Sequence, residues 1–244
     1  MSVDPSPTSV LAVARLSPLL MPQLAASFDL QVLPDLDAAA LAAVAPRIRG
    51  IAASGDSKVP ADLIAQLPAL EVISVMGVGY DGVDVAAAKA RGVMVTHTPD
   101  VLNDDVADLA LGLMLSAARQ LPAADRYVRR GGWTTPGVAS FPLARKVSGA
   151  KLGIVGLGRI GQTIAKRAGG FEMDIRYHSR RPVEGVSWRH ESSLIELARW
   201  CDFLIVITAG GAGTKHLINA EVLDALGPRG FIVNVARGSV IDEA

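Results

Sequence analysis

Residues 151–161 read KLGIVGLGRIG. A strand-like apolar run leads without a break into Gly156, Gly158 and Gly161, which stand in G-x-G-x-x-G spacing at the head of a helical stretch, 159–168. The first glycine permits a tight turn, the second lets backbone approach a pyrophosphate, and the third allows a helix to pack close on the sheet. The first-turn N–H groups at Arg159 and Ile160, with the partial positive charge of a helix N-terminus, suit the same anion. A glycine turn of purely structural use can carry the same letters. Here strand, motif, helix and second strand all fall where a nucleotide fold needs them, so Gly156, Gly158, Arg159, Ile160 and Gly161 are candidate cofactor contacts.

The pattern extends in both directions. Downstream come helical and apolar runs in alternation: MDIRYHS, 192–198, FLIVIT, 219–226 and FIVNVA. Upstream, VLAVA, DLQVL, GIAAS, EVISV and VMVTH alternate with helical candidates such as 61–67 and 83–91. Alternation at this spacing predicts parallel sheets with crossover helices. THTPDVLND breaks the series at Pro99 and opens the longest helical stretch, 103–121, which Pro122 is expected to end or kink. The expected fold is α/β with two doubly wound parallel-sheet domains. A flavodoxin-like substrate domain covers 1–98, and a Rossmann dinucleotide-binding domain covers 99–244.

Composition narrows the partners. The 244 residues include 24 Lys+Arg against 24 Asp+Glu, so no bulk charge draws nucleic acid or an anionic membrane. Any anion must be bound locally. The early run VLAVARLSPLLMPQLAASF carries Arg15 and is broken by Pro18 and Pro22, so strand then helix is the better reading than a signal peptide or membrane span. The one cysteine, Cys201, cannot form an internal disulfide, which fits a reducing, cytoplasmic setting, and it suits a small buried position better than a reactive one. Nothing resembles a ligand set for zinc, iron or calcium, and no metal is expected.

Cofactor choice is made about 20 residues beyond the glycine motif, at the end of the second strand, where an NAD site wants Asp or Glu for the ribose hydroxyls. This chain reads YHSRRP, residues 177–182, with no carboxylate. A carboxylate ~4 Å from a 2′-phosphate would cost about 4 kcal/mol per charge at an effective dielectric of 20. Its absence, with Ser179 as a hydroxyl donor and Arg180 and Arg181 as planar forks for phosphate, points to NADP, with NAD the weaker alternative. A solvated basic turn before Pro182 is the bland reading of the same letters.

Two further stretches are open on pattern alone. In SVMGVGYDGVD, residues 74–84, Gly77 and Gly79 could let successive amides around Val78 form an anion-binding nest, or could merely join strand to helix with Asp81 or Asp84 as cap. After FLIVIT, Thr208 and Thr214 could pass near a nicotinamide or adenine, or sit in a surface turn. The final stretch NVARGSVIDEA delivers one cation, Arg237, then ends in IDEA, which has the look of a helix start capped by Asp242.

SVMGVGYDGVD, NDDVADLALGLML, LGIVGLGRIG and FIVNVARGSVID occur in the order and spacing of the D-isomer-specific 2-hydroxyacid dehydrogenases, and the chain resembles that family over essentially its whole length. YHSRRP and GVGYDGVD look most like its NADPH-using glyoxylate/hydroxypyruvate and hydroxyphenylpyruvate reductases. The resemblance implies that Arg237 reaches the substrate carboxylate and carbonyl while amides of Val78 and Gly79 hold the same carboxylate. Its position agrees, since Arg237 leaves the carboxyl end of a parallel strand, where ligands of such sheets bind. A histidine general acid oriented by a glutamate is also implied, both placed after the arginine, in sequence this chain is expected to lack; His97, His178, His190, His216 and Glu243 do not match that context. The resemblance implies that the 103–121 helix serves a two-fold dimer, where Ala107, Ala110, Gly112 and Ala117 would permit close approach; its apolar stripe could equally be ordinary core packing. The expected activity is reduction of a small 2-oxo acid (glyoxylate, hydroxypyruvate or an aryl pyruvate) to the D-2-hydroxy acid. A dinucleotide-sensing binding protein of the same fold, or a catalytically incomplete fragment, is the alternative.

Overall fold

The computed structural model describes residues 7–133 and 141–244. The chain divides into two compact units, Met1–Val101 and Leu102–Ala244.

The first unit runs β1 (Ser9–Ala12), α1 (Met21–Ser27), β2 (Asp29–Val32), α2 (Ala38–Val44), β3 (Ile48–Ser54), α3 (Ala61–Gln66), β4 (Val72–Met76), α4 (Val85–Ala90) and β5 (Met94–His97). Its strands are all parallel in the order β2-β1-β3-β4-β5, the flavodoxin-like arrangement. Period-two alternation splits the core. Leu11, Ile51 and Ile73 pack with Ile64, Leu67 and Ala88 from the later helices, whereas Val10, Ala12 and Ala52 pack with Leu20 and Leu24 of the α1 side. That second face carries a hollow of about 600 Å³, bounded by Val10, Leu20, Leu24, Phe28, Val72 and Met76. Asp84 caps α4 by accepting from the Ala87 amide at 2.9 Å, which makes the 77–84 loop a strand-to-helix connection with a defined end.

The second unit runs α5 (Asn103–Ala118), α6 (Leu121–Arg129), β6 (Lys151–Val155), α7 (Arg159–Ala168), β7 (Asp174–His178), β8 (Arg189–His190), α8 (Leu194–Trp200), β9 (Phe203–Val206), α9 (Ala220–Leu226) and β10 (Phe231–Asn234). Its parallel strands lie in the order β10-β9-β6-β7-β8, so the winding reverses at β6, the first strand of the unit. Both faces are covered, as a parallel sheet requires. Leu152 and Ile154 join Met114 and Ile164 on one face; Val155 joins Leu197, Leu204 and Val222 on the other. The doubly wound expectation therefore holds in both units.

One local expectation is corrected. The 103–121 helix does not run on to Pro122. It ends at Ala118, Gln120 turns left-handed at φ 54°, and Pro122 opens α6, where a missing N–H costs nothing. At the IDEA segment, Ile241 bridges to Ile218, and the Asp242 amide donates to the Ile218 carbonyl at 2.8 Å. Of the small residues on α5, Ala107 and Ala110 are buried within their own unit, in the cluster that contains Ile164 and Ala165 of α7. Arg167 of α7 bonds Asp104 and Asp108 of α5 at 2.8 and 2.6 Å, tying the two helices further. Among the described residues, no helix is long and apolar enough to cross a membrane.

Cys201 sits under the second sheet, where a Cβ on Gly153 would come 3.0 Å from its sulfur. Burial pushes its thiol from 9.0 up to about 12, because a thiolate there would lose its hydration. The folded protein therefore holds this proton where the unfolded chain releases it, so stability falls as pH rises from about 9 towards about 12. Native protein at mildly alkaline pH is expected to resist iodoacetamide at Cys201 and to react fully once denatured; mass spectrometry of the intact chain reads the difference.

Candidate functional site

In the second unit, four loops leave the carboxyl edge of one parallel sheet, after β6, β7, β9 and β10. That edge is where open α/β sheets take ligands. At its centre, β6 passes into the glycine turn. Gly156 has φ 99°, its amide donates to the His178 carbonyl at 2.9 Å, and a Cβ there would lie 2.8 Å from the Ile207 carbonyl oxygen. A Cβ on Gly161 would collide with the Gly156 carbonyl oxygen. Around Gly158, by contrast, a Cβ would meet nothing within 4 Å. The first and third glycines are thus demanded by the protein itself, whereas the middle one faces open space. It caps α7, whose N-terminus has no side-chain cap and no acidic residue in its first turn. The first-turn amides have no acceptor within the helix, and such an end suits an anion. A pyrophosphate fits the turn on shape and on charge.

The turn after β7 is held by its own chain. Ser179 donates from Oγ to the Arg181 carbonyl at 2.6 Å, and the Val183 amide donates to the Tyr177 hydroxyl at 2.8 Å. His190 Nε2 donates to the Ser179 carbonyl at 3.0 Å, and His178 Nδ1 donates to the Glu191 carbonyl at 2.9 Å. A carbonyl can only accept, so these contacts assign the imidazole protons. Ser179's hydroxyl proton is engaged within the turn, which leaves its oxygen as an acceptor. Arg180 and Arg181 are exposed, and neither has an ion-pair partner among the described residues. The two histidines fasten the turn in a way sequence spacing did not reveal, because they bond backbone 13 and 11 residues away.

Thr208 abuts the glycine turn: its Cα would be 3.0 Å from a Cβ on Gly156. Thr214 is a loop staple, its Oγ1 donating to the carbonyls of Ala209 at 2.7 Å and Gly211 at 3.2 Å. Beyond β10, Asn234 closes the turn that presents Arg237. Its Nδ2 donates to the Arg237 carbonyl at 2.9 Å, and its Oδ1 accepts from the Ala236 amide at 3.0 Å. Arg237 is half-buried, donates from Nη1 to the Ala236 carbonyl at 3.0 Å, and borders a hollow of about 290 Å³ with Val106, Leu109 and Leu113 of α5.

In the first unit, the loop after β4 is fastened to the end of β5. The Gly77 amide donates to Thr98 Oγ1, and the Thr98 amide donates to the Gly77 carbonyl, both at 3.0 Å. His97 Nδ1 lies 3.0 Å from the Val78 carbonyl, with the Tyr80 ring 4.9 Å from its own. The amides of Val78 and Gly79 donate to no protein acceptor among the described residues.

Residues 111–244, more than half of the chain, match the family described as D-isomer specific 2-hydroxyacid dehydrogenase, NAD binding domain. Over 239 residues the chain is 41% identical to a 2-ketogluconate reductase of Gluconobacter oxydans, covering 98% of this chain and 76% of that one. This chain belongs to the D-isomer specific 2-hydroxyacid dehydrogenase family. A hydroxyphenylpyruvate reductase of Plectranthus scutellarioides is 44% identical over 203 residues, 83% of this family member and 64% of the relative. The crystal structure of an NADPH-dependent glyoxylate/hydroxypyruvate reductase from Sinorhizobium meliloti, in complex with NADP and malonate, superposes with a TM-score of 0.88 at 43% identity. That match covers 98% of this chain and 74% of the other. This dehydrogenase-family chain thus spans about two thirds to three quarters of the length of these relatives.

The glycine turn generates a contrast between two substitutions. Gly161→Ala forces α7 off the sheet, and it is expected to destabilise the fold by about 1–3 kcal/mol. Gly158→Ala fills only open space, so its unfolding free energy should stay within roughly 1 kcal/mol of the parent. Both should weaken dinucleotide affinity, which fluorescence titration would measure beside urea unfolding.

Proposed function

We propose that this protein is a reductase that uses NADPH to convert a small 2-oxo acid into the D-2-hydroxy acid. Glyoxylate, hydroxypyruvate and an aryl pyruvate are the candidate substrates. The observation that carries the reading is the carboxyl edge of the second sheet. There the uncapped α7 and the Gly158 opening stand beside an exposed arginine pair, with an Asn234-clamped Arg237 on the same edge. The named activities of the Plectranthus and Sinorhizobium relatives support it.

In this reading residues 99–244 hold the dinucleotide and 1–98 contribute to binding the acid. Gly156, Gly158 and Gly161 shape the pyrophosphate cradle, and the α7 amides bind it. Arg180 and Arg181 receive the 2′-phosphate, whose dianion pairs with planar guanidinium forks, and Ser179, its hydroxyl proton spent on the Arg181 carbonyl rather than free to donate to phosphate as the sequence suggested, holds the turn that presents them. Thr208 and Thr214 set the loop that borders the cradle. When bound, NADPH supplies the hydride. Arg237 binds the substrate carboxylate and polarises the carbonyl, and the amides of Val78 and Gly79 hold the carboxylate. A charged hydrogen bond of this kind contributes about 1.5–3 kcal/mol. None of the four histidines is assigned the general-acid role, because none stands in the sequence context that the family resemblance implies for it.

We place the protein in the cytoplasm as a homodimer. The buried thiol suits a reducing compartment, and exposed Leu109 and Leu113 on α5 offer apolar surface to a second copy.

Two measurements test the reading. Arg180→Ala/Arg181→Ala should raise the KM or Kd for NADPH at least tenfold while leaving NADH within about twofold, since two charged hydrogen bonds are lost only for the phosphorylated nucleotide. Equal changes for the two nucleotides would remove the cofactor assignment. Arg237→Met should weaken oxalate binding by about tenfold or more while nucleotide affinity stays constant, and an unchanged oxalate Kd would take Arg237 out of the site.

A further inference from the structure

The amides assigned above to the substrate carboxylate belong to a loop with little regular structure of its own, and an amide binds an anion well only if it is aimed before the anion arrives. What aims the Gly79 amide is visible in the first unit. The peptide joining Val78 to Gly79 is trans, so its C=O and N–H point in opposite directions in one plane. The Val78 carbonyl is taken by His97 Nδ1 at 3.0 Å. A carbonyl accepts only, so Nδ1 carries the proton and the contact fixes the imidazole tautomer. With the carbonyl turned to His97, the Gly79 N–H is turned away from β5 and meets no protein acceptor among the described residues. The ring itself is held at the end of β5, against Tyr80, and its neighbour Thr98 bonds both polar groups of Gly77. One residue earlier in the loop, the backbone is therefore already locked.

We infer that His97 is a positioning residue for the carboxylate site: by donating to the Val78 carbonyl it orients the Val78–Gly79 peptide so that the Gly79 amide faces the substrate anion. The bond has a second effect, since a peptide whose oxygen accepts a hydrogen bond becomes a stronger donor at its nitrogen. His97 does not touch the substrate and transfers no proton. The inference rests on the reading that the Val78 and Gly79 amides hold the carboxylate, and the experiment separates failure of one from failure of the other.

The full 244-residue chain is titrated with oxalate, followed by the Gly79 amide resonance in ¹⁵N-labelled protein and by calorimetry, alongside His97→Phe and His97→Asn. Phenylalanine keeps an aromatic ring against Tyr80 and removes the donor; asparagine restores an N–H near the place of Nδ1. His97→Phe should weaken oxalate about tenfold or more and move the free Gly79 resonance, His97→Asn should stay within about threefold of the parent, and NADPH affinity should be unchanged in both. The imidazole ¹⁵N shifts of the unsubstituted protein should report a proton on Nδ1, a readout that needs no variant to fold. A proton on Nε2 with Nδ1 bare, oxalate binding by His97→Phe equal to the parent, or equal losses in both variants would overturn the inference while leaving the carboxylate site standing. If the unsubstituted protein leaves the Gly79 resonance unmoved at saturating oxalate, the carboxylate reading of Val78 and Gly79 falls and this inference falls with it.

Discussion

The second unit depends on one close approach, that of α7 to the turn that ends β6. The helix lies so near that no side chain fits between Gly161 and the Gly156 carbonyl. This contact sets the angle at which the helix leaves the turn and aims its first amides at the carboxyl edge of the sheet. It also sets the height at which α5 can lie on α7, with Ala107 and Ala110 in the shared core and Arg167 reaching Asp104 and Asp108. Close-packed interiors transmit such a constraint, because a displaced helix has no empty volume to move into. Site and core are therefore fixed by the same contact.

The features proposed to face anions are made in three ways. The α7 end uses oriented backbone dipoles, the 178–183 turn uses exposed guanidiniums, and the 77–79 loop uses amides locked by neighbouring side chains. In a chain whose charges balance, attraction has to be built locally, and each of these does so without help from bulk potential.

Much of this was legible in the sequence where the signal is local. The strand, glycine motif and helix at 151–168 fall where the spacing placed them, because hydropathy period and glycine position act within a few residues. Strand order was legible only through the doubly wound expectation, since register across a sheet leaves no local trace. The two-residue β8 is too short for any periodic signal. Pro122 misled because the same residue that breaks a helix interior is at home in a first turn, and the left-handed Gln120 that actually breaks α5 has no compositional mark. The roles of His97, His178, His190 and Asn234 were hidden for a different reason. Each binds main-chain atoms, and main chain looks the same under every letter of the sequence.

Arg180 and Arg181 stand out in solvent, on a turn that is itself well fastened. Their pull on any dianion passes largely through water, where mobile ions damp it over a Debye length of ~8 Å at physiological ionic strength. The proposed cradle at Gly158 would work by shape and by amides at contact range, which dissolved salt barely reaches. Discrimination for the phosphorylated nucleotide, in the proposed role, is thus a property of protein and medium together: sharp in dilute buffer, blunted in brine, while grip on the pyrophosphate common to both nucleotides stays nearly constant.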